Sequence, residues 1–409
     1  MGNASDAAGP SSALDTRSMR KGRQFLFLSR VVRGVAAGLV TVAYPYLLLT
    51  DLHVGAALLG ALYAAGAVST ALLTYVLGRL GSRSALRGTY LASLSLLPLA
   101  CGLLVLPPSL PLAALASVLG GFSATGSLAG GGVGGAAFPL QSALLSDLVP
   151  PRERTRWFSW FTFAAGAAAS VGALAAGVGS LGEVFFAAFL LSVASVLFAL
   201  PIPVRPIQKG RAPSAASRRV IRKFTATGVL NGASQGLLAP FLIPFFVLYF
   251  GVGRPEMSVY TTLGSLLGTF SVLAAPWLDR RFGFVRAIVG TRSVAAVFAV
   301  LMPFVARTPA LLLYVLLPAF RVAALPAQSA ALMDRLPHAD RSEGAGTNQA
   351  ARVGAASAAT LASGYALEEV AVAVPFLGYA AALAVNAALY VRFFGWRGDR
   401  IAPPSEAET

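Results

Sequence analysis

The sequence predicts an all-α integral membrane protein, with twelve transmembrane helices in two pseudo-symmetric six-helix bundles. Composition, the charge pattern of its loops and an internal repeat carry that prediction. Of 409 residues, 56% are hydrophobic and 12% charged, and the mean hydropathy is +0.72. A soluble domain of this size could not cover its core with so little polar surface. Lipid asks for no such cover. The apolar segments run to about 20 residues, enough for a hydrocarbon core of roughly 30 Å. They are continuous rather than alternating, which argues against a transmembrane β-barrel.

The repeat is a stretch of text that occurs twice. Residues 139–155 read PLQSALLSDLVPPRERT, and residues 326–342 read PAQSAALMDRLPHADRS. The two align without a gap at an offset of 187. Pro139, Gln141, Ser142, Ala143, Leu145, Asp147, Pro150 and Arg154 recur as Pro326, Gln328, Ser329, Ala330, Leu332, Asp334, Pro337 and Arg341. Such a match indicates duplication of a membrane unit. In each copy an apolar helix runs out at an aspartate, and a loop rich in proline and arginine follows.

Twelve spans are expected, near 26–50, 55–77, 88–106, 112–147, 157–178, 182–203, 224–250, 256–277, 287–306, 309–333, 346–367 and 371–395. The fourth is too long: 36 residues at 1.5 Å each would exceed 50 Å, well beyond a bilayer, by about 20 Å. It also contains SLAGGGVGGAAFP at 127–139, so a straight single helix is not expected. Against its counterpart this region carries about 14 extra residues, placed between Pro107 and Gly121 or taken up by a break.

Loop charge gives an independent test. With the N-terminal tail set inside, the inner loops and both tails hold 25 of the 32 Lys and Arg, Arg392 being counted with the tail it adjoins. The outer loops hold Arg254 and Arg307, and five arginines lie within spans. That asymmetry follows the positive-inside rule and requires an even number of spans. The organisation expected is therefore a disordered cytosolic tail (1–24), a six-helix bundle (25–203), a basic cytosolic linker (204–223), a second bundle (224–396) and a cytosolic tail (397–409). The setting is a multi-pass protein of the cell membrane with both termini cytosolic. The net charge of +16 is spread over short loops, so nucleic acid is not an expected partner. Cys101, the single cysteine, lies in an apolar run and reads as a core residue.

Twelve spans, a midpoint linker and matching loops in each half resemble the major facilitator superfamily of transporters. The resemblance covers about 25–396. The family's loop after the second span usually reads Gly-x-Leu-Ala-Asp-Arg-x-Gly-Arg-Arg. LDRRFGFVR in the second half offers Asp279, Arg280, Arg281 and Gly283, and LGRLGSR in the first offers Gly78, Arg79, Gly81 and Arg83, with glycine in place of the aspartate. The resemblance implies two bundles around a central cavity, working by alternating access. It implies gating roles at the tail-side loops for Asp279, Arg280, Arg79, Asp147, Arg154, Asp334 and Arg341. A membrane-surface charge cluster that only fixes topology is the competing reading. Ser127 stands where many members carry a fourth-span arginine. Gly172-Ala-Leu-Ala-Ala-Gly177 keeps only the small-residue spacing of the antiporter motif in the fifth span.

Charges inside spans are read as functional by default. Arg30, Arg33, Arg292 and Arg352 lie near tail-side helix ends and are expected to snorkel to the interface. Arg321 is the thirteenth residue of its expected span, with Pro318 and Pro326 on either side. None of the sixteen acids lies mid-span, so Arg321 must find carbonyls, hydroxyls, water or an anionic ligand. It is the leading candidate for a substrate cavity. Tyr44, Gln141, Gln328, Asn231, Ser234 and Gln235 join it as polar groups within apolar spans. The last three share one helix face at i, i+3 and i+4. Helix–helix hydrogen bonding is the structural alternative for that stripe.

No phosphate-cradling glycine loop, metal-ligating cluster or hydrolytic triad is present in the sequence, so no cofactor, metal site or catalytic residue is expected. The function expected is secondary active or facilitative transport of a small solute, anionic if Arg321 meets it. A proton-coupled multidrug or metabolite antiporter is the alternative, with a coupling proton as partner. A transport-inactive sensor or a membrane enzyme is the alternative from another class.

Overall fold

In a computed structural model, residues 11–81, 86–122, 153–202, 215–323 and 341–396 are described, with short pieces between 133 and 149 and between 325 and 336. Among them every regular element is a helix. Twelve spans follow in order. Span 1 is Ser11–Tyr46 continued by a π turn, Leu47–Asp51; spans 2 and 3 are Ala56–Gly81 and Leu86–Val105. Span 4 starts as Leu110–Gly120; spans 5 and 6 are Arg154–Ala175 and Leu181–Ala199. Span 7 joins Ala215–Leu238 to Leu242–Phe250, and span 8 joins Arg254–Ser271 to Ala275–Phe282. Spans 9 to 12 are Phe284–Leu301, Arg307–Val322, Arg341–Glu369 and Ala373–Phe394. Eight of the helices are long and apolar enough to cross a membrane. With twelve spans alternating in direction, the start of span 1 and the end of span 12 fall on one face of the bundle, called the tail side below; the other is the far side.

The element bounds depart from expectation in four places, each with a local reason. Span 1 begins at Ser11, well inside the expected 1–24 tail, because residues 11–21 contain neither proline nor glycine to stop a helix. Span 7 begins at Ala215, so the expected 204–223 linker is helical over its last part; Pro213 is its last helix breaker. Span 4 stops at Gly120. Gly121 then takes a left-handed conformation (φ 59°), and the Phe122 N–H returns to the Ser117 carbonyl at 3.0 Å. Helical residues resume by Leu140, so the long fourth segment is broken rather than overlong. Span 10 stops at Val322, with a turn at Ala323. Pro326 has no N–H to offer the Val322 carbonyl. The glycine-rich stretch 123–132 and the C-terminal tail 397–409 lie outside the described residues.

The packing repeats between halves. Span 1 lies against spans 5 and 6, span 3 against 4 and 6, and span 2 against 4. In the second half span 7 lies against 11 and 12, span 9 against 10 and 12, and span 8 against 10. The halves meet where span 2 packs on span 11 and span 5 on span 8. Close approach drives the main contacts, since lipid gives helices no hydrophobic reason to associate. Gly34 and Gly38 of span 1 recur 198 residues on as Gly232 and Gly236 of span 7. A Cβ at Gly38 would stand 2.0 Å from the Ala169 carbonyl oxygen, and one at Gly232 2.0 Å from that of Arg352.

Three apolar cores result. One, containing Tyr44, Leu59, Phe122, Phe241, Phe246, Met257, Tyr314 and Phe376, draws on both halves. The second, around Leu26, Tyr90, Leu94, Leu144 and Phe161, belongs to the first half. The third, around Phe224, Ile288, Leu332, Tyr390 and Phe394, belongs to the second. The shared core lies toward the far side, and the two separate cores lie toward the tail side.

Gly232→Val should destabilise the protein by about 1–3 kcal/mol or more, because the added atoms must displace span 11 backbone rather than a flexible side chain. Thermal unfolding of the purified protein reads this as a lowered midpoint. A midpoint equal to wild type would show that the span 7–span 11 contact is looser than described.

Candidate functional site

The duplicated glutamines are the centre of a matching arrangement in each half. Gln141 of span 4 is fully buried. Its Oε1 accepts from Arg30 Nη1 of span 1 at 3.1 Å, and its Nε2 donates to the Tyr90 hydroxyl of span 3 at 3.2 Å. Gln328 Oε1 of span 10 accepts from Arg292 Nη2 of span 9 at 3.0 Å. The Arg292 guanidinium lies over the Tyr390 ring of span 12, 5.3 Å from its centroid. Each repeated glutamine thus holds a guanidinium, with a tyrosine of a third helix beside the pair. Glutamine suits this: its carbonyl offers a strong acceptor without adding a second charge to desolvate.

This corrects the expectation for the tail-side arginines. Arg33 is 2% exposed and Arg292 5%, so neither snorkels to the surface. Arg33 Nη1 donates to the Leu94 carbonyl at 3.1 Å. Arg352 Nη2 donates to Gln349 Oε1 at 2.7 Å, and Asn348 Nδ2 to the Phe224 carbonyl at 2.7 Å. These groups tie spans 1, 3 and 4 together in one half, and spans 7, 9, 10 and 11 in the other.

Arg321 is half-buried in the last turn of the Arg307–Val322 helix, about 21 Å along the axis from its far-side start. The free carbonyls at that helix end favour a cation. Side chains lean toward a helix's N-terminus, which directs the guanidinium back toward mid-membrane. The Tyr314 and Tyr379 side chains are its nearest titratable neighbours among the described residues. The Tyr314 hydroxyl also pairs with Thr261 at 2.9 Å. Every described acidic side chain lies at a span end or in a loop: Asp51, Glu153, Glu183, Glu256, Glu368 and Glu369.

The other expected cavity residues are dispersed. Tyr44 is buried, donates to the Ala113 carbonyl at 3.0 Å and packs its ring 4.9 Å from that of Phe122. Asn231, Ser234 and Gln235 are all buried on span 7. Ser234 turns back to the Asn231 carbonyl at 2.8 Å. Of the loop residues, Arg280 is exposed at the tail-side end of span 8. Arg154 and Arg341 each open their helix, spans 5 and 11. The side chains of Arg79, Arg154, Asp279 and Arg341, and the whole of Asp147 and Asp334, lie outside the described residues.

Contacts between the halves were not visible in the sequence. Glu368, at the end of span 11, accepts at 2.7 Å from the backbone N–H of Ala57, the second helical residue of span 2. A carboxylate at a helix N-terminus meets unsatisfied N–H groups and the positive end of the helix dipole. Tyr46 donates to the Val252 carbonyl at 2.7 Å, and Arg254 donates to the Gly179 carbonyl. Thr262 of span 8 donates to the Ser170 carbonyl of span 5 at 3.2 Å. The first three lie at the far-side ends of their helices.

Broken fourth and tenth helices in a bundle of two similar halves are the architecture of a polytopic membrane transporter. The comparisons agree. The family model described as Major Facilitator Superfamily matches residues 26–226. The search of curated proteins finds no match. Among solved structures, the D-xylose-proton symporter has a TM-score of 0.70 at 14% identity, over 92% of this chain and 98% of that one. Nucleoside transporter NupG, as its D323A mutant, has 0.68 at 14%, over 91% and 100%. The human organic anion transporter MFSD10 has 0.67 at 15%, over 91% and 99%. The Major Facilitator Superfamily pattern thus runs through the first half, and the whole chain has the fold of these solved transporters.

Gln328→Leu should leave the Arg292 guanidinium without its neutral acceptor and lower stability by about 1.5–3 kcal/mol. Gln328→Glu supplies an acceptor and a counter-charge, and should recover most of the loss in thermal unfolding. Equal losses in the two variants would mean that packing, not the hydrogen bond, holds the node.

Proposed function

We propose that this protein moves a small anionic solute across the membrane by alternating access, with Arg321 meeting the solute in the central cavity. The observation that carries the proposal is the charge balance within the spans. Arg321 stands at the end of a broken helix, and the described carboxylates lie at span ends or in loops. A cation in that position is stabilised by water, dipoles or an anion brought to it. The likeness in fold to an organic anion transporter accords with this reading but does not carry it.

In this reading the described state is open toward the tail side. The shared core and the cross-half hydrogen bonds at Glu368, Tyr46 and Arg254 close the far side, while the tail side holds two separate cores. The loop charge bias makes the tail side cytosolic. Opening the far side would then require Glu368 to leave the end of span 2.

Two outcomes test the proposal. In proteoliposomes, Arg321→Ala should reduce uptake of the transported anion at least tenfold, about the worth of one charge-assisted hydrogen bond. The variant should remain monodisperse, with unfolding near wild type. Transport of anions at the wild-type rate would sink the assignment of Arg321. For sidedness, a cysteine at Ala216, an exposed position on the tail side, should react with a membrane-impermeant maleimide only from the cytosol. Cys101 is buried and contributes little background. Labelling from outside intact cells would reverse the topology.

A further inference from the structure

We propose that the far side is held shut by two latches of opposite polarity, at equivalent places in the two seams between the halves. In one, the Glu368 carboxylate of span 11 caps span 2 from the opposite half. In the other, the Arg254 guanidinium of span 8 holds a carbonyl beyond the end of span 5. Releasing either lets both seams part, so these two side chains set how often the far side opens. The proposal rests on the alternating-access reading above.

The seams are copies of one another. Gly364 stands 187 residues after Gly177, the offset of the repeated text, and Ser258 stands 198 after Gly60, the offset of the span 1 and span 7 glycines. Gly364 meets Gly60: a Cβ on Gly364 would stand 3.0 Å from the Gly60 Cα. Gly177 meets Ser258: a Cβ there would stand 2.2 Å from the Ser258 Oγ. Each latch lies on the far-side edge of its contact, Glu368 one turn beyond Gly364 and Arg254 one turn before Ser258.

Their polarity follows from how each helix starts. Span 2 begins after Gly55, which has no side chain to cap it, and its first turn holds no acid. The Ala57 N–H is therefore left for Glu368, which accepts from it at 2.7 Å. Gly55 also makes room for the carboxylate, since a Cβ there would stand 2.4 Å from Glu368 Oε2. Span 6 shows the ordinary arrangement, in which Ser180 and Glu183 cap their own helix. In span 8 the residue equivalent to Ala57 is Pro255, and proline has no N–H to give. An acceptor from the other half has nothing to bind at that position. Arg254, beside it, instead donates to the Gly179 carbonyl, and the neighbouring Glu256 is taken by Arg307 of its own half. A carboxylate at a helix start and a guanidinium on a carbonyl are both favourable in the closed seam, and both are surrendered to water when it opens.

The test reads how often each seam opens and needs no solute. Ala64→Cys, one turn deeper than Gly60 on the same face of span 2 and 7% exposed, probes one seam. Ser258→Cys, 2% exposed, probes the other. Each is placed separately in the full chain in intact cells, and its rate of reaction with a membrane-impermeant maleimide added outside is measured. Glu368→Ala and Arg254→Ala should each raise that rate about two- to fivefold, the worth of one charged contact at a helix end, and should do so at both cysteines. The rise at the distant seam is what a latch on the whole far side produces. A rise confined to the seam that carries the substitution would make the residue a local helix cap and overturn the proposal, while leaving alternating access standing. Unchanged rates at both cysteines would overturn it too. Gly55→Asn caps span 2 from its own chain and drives the Glu368 carboxylate off its seat, so it should raise both rates with the helix start intact. Should Glu368→Ala fail to reach the membrane, this variant carries the test, and wild-type rates at both cysteines would then overturn the proposal.

Discussion

The constraint on which this structure depends is that a guanidinium inside a membrane must be answered by the chain itself. Lipid supplies neither acceptor nor counter-charge. Here the answer is built from neutral groups: Gln141 for Arg30, Gln328 for Arg292, Gln349 for Arg352 and the Leu94 carbonyl for Arg33. Except for the Gln349 bond, which lies within one helix, each of these bonds joins two helices. The charge that makes the interior unstable when alone thus fixes how neighbouring helices stand. This gives the repeated text 139–155 and 326–342 a physical content. Its conserved glutamine is the residue that each half uses to hold an arginine.

Helix contact in each half rests on a second repeated device, the glycine pairs Gly34/Gly38 and Gly232/Gly236. They bring span 1 onto span 5 and span 7 onto span 11 at backbone distance. Contacts that close do not slide; they pass force as rigid units. The interface between halves uses the same device where Gly60 of span 2 meets Gly364 of span 11 at backbone distance, and adds a shared apolar core, hydrogen bonds to carbonyls and one carboxylate at a helix end.

Much of this was legible in the sequence, because lipid narrows the choices. Spans had to be helices, and the even number of spans that the loop charge asked for is the number the fold has. The repeat fixed the two halves. The helix breaks were only half legible. The glycines of 127–139 announced trouble in span 4, but the turn falls earlier, at Gly121. In span 10, Pro326 could be read as a breaker, yet Arg321 was expected in mid-helix rather than at a helix end. Side-chain direction was not legible at all. Arg292 and Arg33 sit where snorkelling is geometrically possible, and only the packed structure shows acceptors on the inner side. Glu368 capping span 2 pairs residues 311 apart, and no local pattern encodes such a meeting.

The halves also differ in a way that the 198-residue register makes plain. Arg33 of span 1 corresponds to Asn231 of span 7, and Leu94 of span 3 corresponds to Arg292 of span 9. In the first half the arginine is on the first helix and reaches to the third. In the second half the arginine is on the third helix of the six, and the first carries the amide. Moving the charge from one helix to its neighbour keeps a positive group inside each bundle while changing which wall carries it. The first helix of a half also contacts the opposite half, as Tyr46 does with Val252; the third contacts only its own half among the described packing. The second half has therefore withdrawn its arginine from the moving interface and buried it deep in the bundle. Arg321, by contrast, stands half-buried at the end of a broken helix of the same half.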